Sequence, residues 1–391
     1  MNEWKKVKLG ELYEVHNGLS KGRQFFGSGY PFLTFSNVFN NWFLPEELES
    51  LVQSSEKERQ TCSIKKGDVF ITRTSETMDE LGMSSVALKD YPNATYNGFT
   101  KRLRPLTDEV IPEYIGYYLR SPKFRGKFMA FSTMTTRASL ANDDLLSMEV
   151  DIPEKAIQQR IATILSRYDS LIENYQKQIK LLEESAQRLY KEWFIDLRFP
   201  GHENTKIVNG VPDGWEKKPV DTIYSIKYGK NLSTKLISEN GKFPVYGANG
   251  VIGYYDKANC NEQVVLITSR GNGSGDVLMT YHKDAFITNN SFIVLPIEDY
   301  SYCQLLFTYQ FLKNANFRAV RTGAAQPQLT NQSIHTVNVV LPSKDVIIDY
   351  CDKASYNNKK IILLKNQIRL LTEARDRLLP KLMSGEINVN R

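Results

Sequence analysis

The chain carries one plan twice. Leu140 to Phe194 aligns without a gap on Leu329 to Met383 at a constant shift of 189 residues. Leu140/Leu329, Asn142/Asn331, Val150/Val339, Pro153/Pro342 and Lys155/Lys344 coincide, as do Gln178-Ile179/Gln367-Ile368, Leu181-Leu182/Leu370-Leu371, Glu184/Glu373 and Arg188-Leu189/Arg377-Leu378. Composition alone could align two amphipathic helices, but not with a strand-ending proline at the same offset upstream. An earlier echo sets Trp4-Lys5-Lys6-Val7 against Trp215-Glu216-Lys217-Lys218, each opening a β-rich region. Whatever one copy folds into, the other must fold into as well. For 391 residues this means two domains, each followed by a helix.

The expected class is α+β, internally repeated: a mixed domain over 1–153, a spacer helix and the start of a linker over 154–199, the linker and second domain over 200–342, and a second helix over 343–391. Short β-rich runs bounded by Gly, Asn and Pro lie at 68–72 and 148–152 in the first copy, and at 264–268, 277–280 and 292–295 in the second. Short helices are expected around 112–120 and 302–313, and Phe199 to Gly214 reads as the linker.

The two long helices carry a heptad seam. Ile161, Leu165, Tyr168, Ile172, Tyr175, Ile179, Leu182, Ala186, Leu189 and Trp193 alternate in spacings of 4 and 3 without a break. The shifted set is Tyr350, Ala354, Asn357, Ile361, Leu364, Ile368, Leu371, Arg375, Leu378 and Leu382, interrupted by the polar Asn357 and Arg375. A seam Asn can fix register; a solvent-facing stretch is the plainer account. Antiparallel pairing suits two such helices with a domain between them. From Ile157 to Trp193 such a helix would span about 54 Å.

Catalytic constellations are missing. Arg270-Gly271-Asn272-Gly273-Ser274-Gly275-Asp276 contains G-x-G-x-G, but a strand-like run follows it, where a phosphate-binding loop needs a helix. Pro212-Asp213 with Glu216-Lys217-Lys218 imitates a nuclease signature with its two parts too close together. There is no P-loop and no Asn-Pro-Pro-aromatic motif. The four cysteines (Cys62, Cys260, Cys303, Cys351) form no C-x-x-C pair, and His16, His202, His282 and His335 form no metal-ligand spacing; His335 reads as structural, within a strand-like run. No apolar run is long enough to span a membrane and no signal segment opens the chain, so a reducing cytoplasm is expected.

What remains suits nucleic acid. Net charge is +6, with −1 over 1–153 and +2 over 200–342, so neither domain is a basic block. Local clusters point further. Lys101, Arg102, Arg104, Arg120, Lys123, Arg125 and Lys127 gather in one stretch, enough to contact a phosphate backbone, or to form a solvated helix surface. Arg73-Thr74-Ser75 and Ser269-Arg270 each follow a strand-like run, which puts Arg73 and Arg270 at corresponding loops. Arg can read guanine in bidentate fashion, and Asn or Gln adenine. The second domain is rich in such groups, among them Asn231, Asn249, Asn272, Asn289, Asn290, Gln326 and Gln328. Arg137 and Arg321 complete the candidate DNA-binding set.

The run Trp193-Phe194-Ile195-Asp196-Leu197-Arg198-Phe199-Pro200-Gly201-His202, followed by Val211-Pro212-Asp213-Gly214-Trp215, resembles the junction in specificity subunits of type I restriction-modification systems. Thr322-Gly323-Ala324-Ala325-Gln326-Pro327-Gln328-Leu329 resembles the close of their target-recognition domains, whereas Thr135-Thr136-Arg137-Ala138-Ser139-Leu140 departs from it by lacking the Gln. The resemblance covers essentially the whole chain. It implies a non-catalytic subunit whose two target-recognition domains each read half of a split double-stranded DNA site. The helices would separate those domains and dock two methyltransferase subunits. S-adenosylmethionine, ATP and Mg²⁺ would then sit on partner subunits, including a restriction translocase, and none on this chain. Three other readings stay open: an autonomous bipartite DNA-binding regulator, a nuclease or methyltransferase acting alone, and a coiled-coil scaffold with no DNA role.

Overall fold

The structure is a computed structural model that describes residues 4–75, 80–131, 138–139, 141–323 and 326–389. It divides into two compact units, 1–173 with 368–391, and 174–367. Each unit therefore holds one globular domain together with part of both long helices, Lys155–Tyr190 and Lys344–Met383.

The two domains repeat each other sheet for sheet. In the first, the strands Tyr13–Asn17, Thr100–Pro105, Val69–Thr72 and Ser84–Val86 form a four-stranded antiparallel sheet in that order. In the second, Tyr224–Tyr228, Ser291–Pro296, Val265–Thr268 and Val277–Met279 do the same. A three-stranded sheet accompanies each, centred on Phe26–Leu33 and on Phe243–Gly247. A two-stranded ribbon closes each domain: Lys5–Lys8 with Glu149–Ile152, and Glu216–Pro219 with Asn338–Leu341. Pro153 and Pro342 follow those last strands, where a residue without an N–H ends the ladder. Register gives the residue equivalences. Tyr13 faces Pro105 as Tyr224 faces Pro296, and Thr72 faces Thr100 as Thr268 faces Ser291. The shift is thus 211 residues at the edge strand and 196 at the centre, against 189 in the helices, so the second copy is shortened in its loops.

The heptad seams are the packed faces. None of Ile161, Leu165, Tyr168, Ile172, Tyr175, Ile179, Leu182, Leu189, Asn357, Ile361, Leu364, Ile368, Leu371 and Leu378 is exposed, while Leu171, Leu181, Leu363 and Leu370, off the seam, are. In the first unit Ile161 and Leu165 share a core with Leu379, Leu382 and Met383. In the second, Tyr190 and Trp193 share one with Ile347, Tyr350 and Ala354. Within the first unit Arg160 reaches the Val389 carbonyl while Asp169 meets Arg375, and within the second Glu183 meets Lys365 while Tyr190 meets Tyr350, so the pairing inside each unit is antiparallel.

Three details differ from the sequence expectation. The first helix closes at Tyr190 and runs on as a π turn, Lys191–Ile195, whose extra residue per turn brings both Trp193 and Phe194 into the core against Tyr350. The linker contains a hairpin, Ile207–Val208 with Val211–Pro212, turned by Asn209 and Gly210 at positive φ (52° and 76°). His335 lies on a short helix, Asn331–His335, beside Asp221 at 2.6 Å, and not in a strand.

Candidate nucleic-acid interface

In the second domain four loops converge where the strand Val265–Thr268 ends. The hub is Ser269, fully buried. Its N–H donates to the Asn290 carbonyl (2.8 Å) and its hydroxyl to the Asn289 carbonyl (3.1 Å), while its own carbonyl accepts from Leu329 N–H (2.8 Å) and the Ser274 hydroxyl (3.2 Å). The G-x-G-x-G segment is a tight connection between strands, as its sequence context implied, with Gly271 and Gly275 at positive φ of 83° and 91°. Asn289 N–H donates to the Lys230 carbonyl (3.1 Å), and Arg270 bridges Gln328 across the chain.

This scaffold leaves polar side chains outward. Arg270, Asn272, Gln326, Gln328 and Lys230 are exposed, and Asn289, Asn290 and Arg321 half-buried. The guanidinium of Arg270 has no partner among the described residues. Arg321 is tied to backbone, donating to the carbonyls of Arg318 (3.0 Å) and Asn272 (3.5 Å). Of the sequence candidates here, Ser269 builds the site from inside and the others line it. Lys230 was missed, since nothing in its own segment marks it.

The first domain has the matching station, with different occupants. Arg73 N–H donates to the Phe99 carbonyl (2.9 Å) as Ser269 N–H does to that of Asn290. Arg73 is therefore the counterpart of Ser269, and Thr74 that of Arg270. The loops correspond as expected, but the two arginines are one residue out of step, and a one-residue slip in an extended chain reverses the side-chain face. Arg73 instead reaches Asn17 Oδ1 at 3.4 Å. Thr74 and Ser75 pair with 138–139 as a short ribbon. Arg137 lies outside the described residues.

The basic stretch after residue 100 is turned inward as far as Arg120, whereas Lys123 is exposed. Lys101 and Arg102 are each 4 % exposed. Lys101 donates to Asn142, and burial lowers its ammonium's affinity for a proton, with Arg73 nearby adding to the effect. Arg102 donates to the carbonyls of Thr61 (3.2 Å) and Ser63 (2.8 Å). Arg104 pairs with Asp68 (2.7 Å), and Arg120 donates to the carbonyls of Ser84, Val38, Phe39 and Asn41. Arg125 reaches the Leu81 carbonyl, and Lys123 pairs with Asp151 at 2.9 Å. Lys101 and Arg102 accordingly leave the set of outward contacts. A buried cation needs its donors satisfied, and loop carbonyls take up most of them here, with Arg102 Nε left without a partner among the described residues.

A mixed domain carried twice, each copy in a unit that also holds part of both long helices, defines a duplicated, two-module class of protein. The sequence profile of the type I restriction modification DNA specificity domain matches twice, over residues 1–184 and 212–368. The chain belongs to this family of type I specificity subunits. It is 26 % identical to the specificity subunit of the type I restriction enzyme MjaIX of Methanocaldococcus jannaschii, covering 99 % of this chain and 94 % of that protein. To the HindI specificity subunit of Haemophilus influenzae it is 24 % identical, covering 99 % and 100 %. The crystal structure of a type I S subunit from M. genitalium shares the fold, with a TM-score of 0.55 at 19 % identity over 97 % of this chain and 96 % of that one.

Proposed function

We propose that this chain is the DNA-reading subunit of a type I restriction-modification complex. Each domain reads one part of a bipartite duplex site, and the long helices dock two methyltransferase subunits and, through them, restriction-translocase subunits. The chain itself is non-catalytic. S-adenosylmethionine, ATP and Mg²⁺ belong to its partners, the methylated base is adenine, and the complex works in the cytoplasm. The double match to the DNA specificity domain carries this reading. The Arg270 guanidinium, without a partner among the described residues, in a loop cluster that also carries Gln328 and Asn290, supports it, as these groups suit base edges. No helix among the described residues is long and apolar enough to cross a membrane.

The test is to express the chain with its cognate methyltransferase subunit and map modified adenines in the host genome. A two-part motif is expected, and exchange of residues 215–342 for a relative's should change one part only. Absence of any modified motif, or a change in both parts, would overturn the reading. Co-purification without a methyltransferase subunit would favour an autonomous regulator.

A further inference from the structure

The repeat exposes one station that the loop cluster shares but fills differently. Phe99 in the first domain and Asn290 in the second each offer their carbonyl to the residue that follows the central strand, Arg73 and Ser269. The preceding residues match too: Gly98 N–H donates to the Leu19 carbonyl as Asn289 N–H does to that of Lys230. Phe99 is 58 % exposed, the most exposed aromatic residue among the described residues of its domain. Its backbone is nonetheless tightly held. Phe99 N–H donates to Asn97 Oδ1 at 2.7 Å, and Thr100 N–H to the Asn97 carbonyl at 3.0 Å. Gly98 packs closely, since a Cβ there would lie 2.4 Å from Ser20 Oγ and 3.1 Å from the Leu19 carbonyl oxygen, so a larger residue would have to displace the serine hydroxyl. A large apolar ring thus stands in water on a held backbone. Single exposed apolar side chains are common, and what sets Phe99 apart is its place, on the turn that corresponds to Asn289–Asn290 in the polar loop cluster of the second domain.

We propose that Phe99 and Asn290 are equivalent base-reading positions, and that Phe99 packs on the 5-methyl group of a thymine in the part-site read by the first domain. The inference rests on the DNA-reading function above. An apolar side chain in the major groove recognises thymine through that methyl, whereas a carboxamide such as Asn290, free of any described partner, suits adenine.

The experiment uses the assembled methyltransferase complex and duplexes carrying the mapped motif, with each thymine in turn replaced by deoxyuridine. Wild type should lose roughly fourfold in affinity at one thymine of one part-site, the worth of a buried methyl group. Phe99→Ala should bind thymine and deoxyuridine duplexes alike, with an unchanged melting temperature, because the ring supports no core. Specific binding by wild type with no sensitivity at any thymine overturns the inference alone. So does a Phe99→Ala complex that still loses affinity at the same thymine. A part-site without thymine overturns it equally. Should wild type prefer no duplex at all, the DNA-reading function itself fails, and the inference with it.

Discussion

Arg375 Nη1 lies 2.6 Å from Asp169 Oδ1, joining the second long helix to the first within one unit. Asp169 also accepts from the Tyr117 hydroxyl, and the Arg375 guanidinium sits 5.1 Å from the Trp42 ring, which packs on Tyr117. The arginine that interrupts the seam is therefore a keystone between both helices and the domain, not a frayed position. The repeat puts Ala186, Asn358 and Gln187 where Arg375, Asp169 and Asp376 would recur, and Gln310 at the Tyr117 place in the matching nine-residue helix. All four line a cavity of about 40 Å³ in the second unit. Inside the second unit the Tyr350 hydroxyl and Asn358 Oδ1 are buried without partners among the described residues. One unit locks with charge; the other has lost the arginine and both carboxylates together.

Arg375→Ala should destabilise the first unit by about 1.5–3 kcal/mol, the worth of a hydrogen bond between charged groups that leaves its partner unsatisfied. A double-mutant cycle with Asp169→Asn in chemical denaturation measures the coupling. Additivity of the two single variants to within about 0.5 kcal/mol would show that the pair is not coupled.

Filling the cavity should help the second unit. Ala186→Met places a flexible apolar chain among Met279, Leu306 and Ile361, and a gain of about 0.5–2 kcal/mol is expected in its unfolding transition alone. A loss would mean that the space is held by ordered water on Tyr350 and Asn358.

Asp151, 4 % exposed, sets an acid limit on the first domain. Burial opposes its ionisation, yet hydrogen bonds from Lys123 and Tyr118 and the charges of Lys123 and Lys127 overcome this and hold its carboxyl below the ordinary range. A depressed folded value contributes stability above the unfolded carboxylate range, and that contribution is lost as pH falls through the folded value. Asp151→Asn should therefore be less stable than wild type at pH 7 and approach it in acid. Parallel stability curves from pH 7 down to about 3 would exclude the effect.

Much of this was legible in sequence, and the exceptions share a cause. The repeat, the strand-ending prolines and the seams could be read because helix packing is periodic along the chain. The fate of Arg102, Arg104 and Arg120 could not, because their acceptors come from loops distant in sequence, at Thr61 to Asp68 and at Val38 to Asn41. The offset between Arg73 and Arg270 was hidden for a similar reason, since pairing register is set by the partner strand. Arg102→Met should accordingly lower the melting temperature of the first domain and leave the salt dependence of DNA binding unchanged. A salt slope reduced by about 1 would restore it as a phosphate contact.

The outward guanidinium of Arg270 provides the sharpest contrast with these internal cations. Its backbone is held by the bridge to Gln328 and by Gly271 N–H donating to the Pro327 carbonyl at 2.9 Å, so the side chain leaves a fixed base. The same loop cluster carries the carboxamides of Asn272, Gln326 and Gln328, which compete weakly for a cation. Arg270→Ala should lose about 1–3 kcal/mol on the cognate duplex and relax specificity at one base pair, while non-specific binding barely changes. Equal losses on cognate and random duplexes, with a shallower salt slope, would assign the residue to phosphate. Unchanged affinity for both would remove Arg270 from the interface.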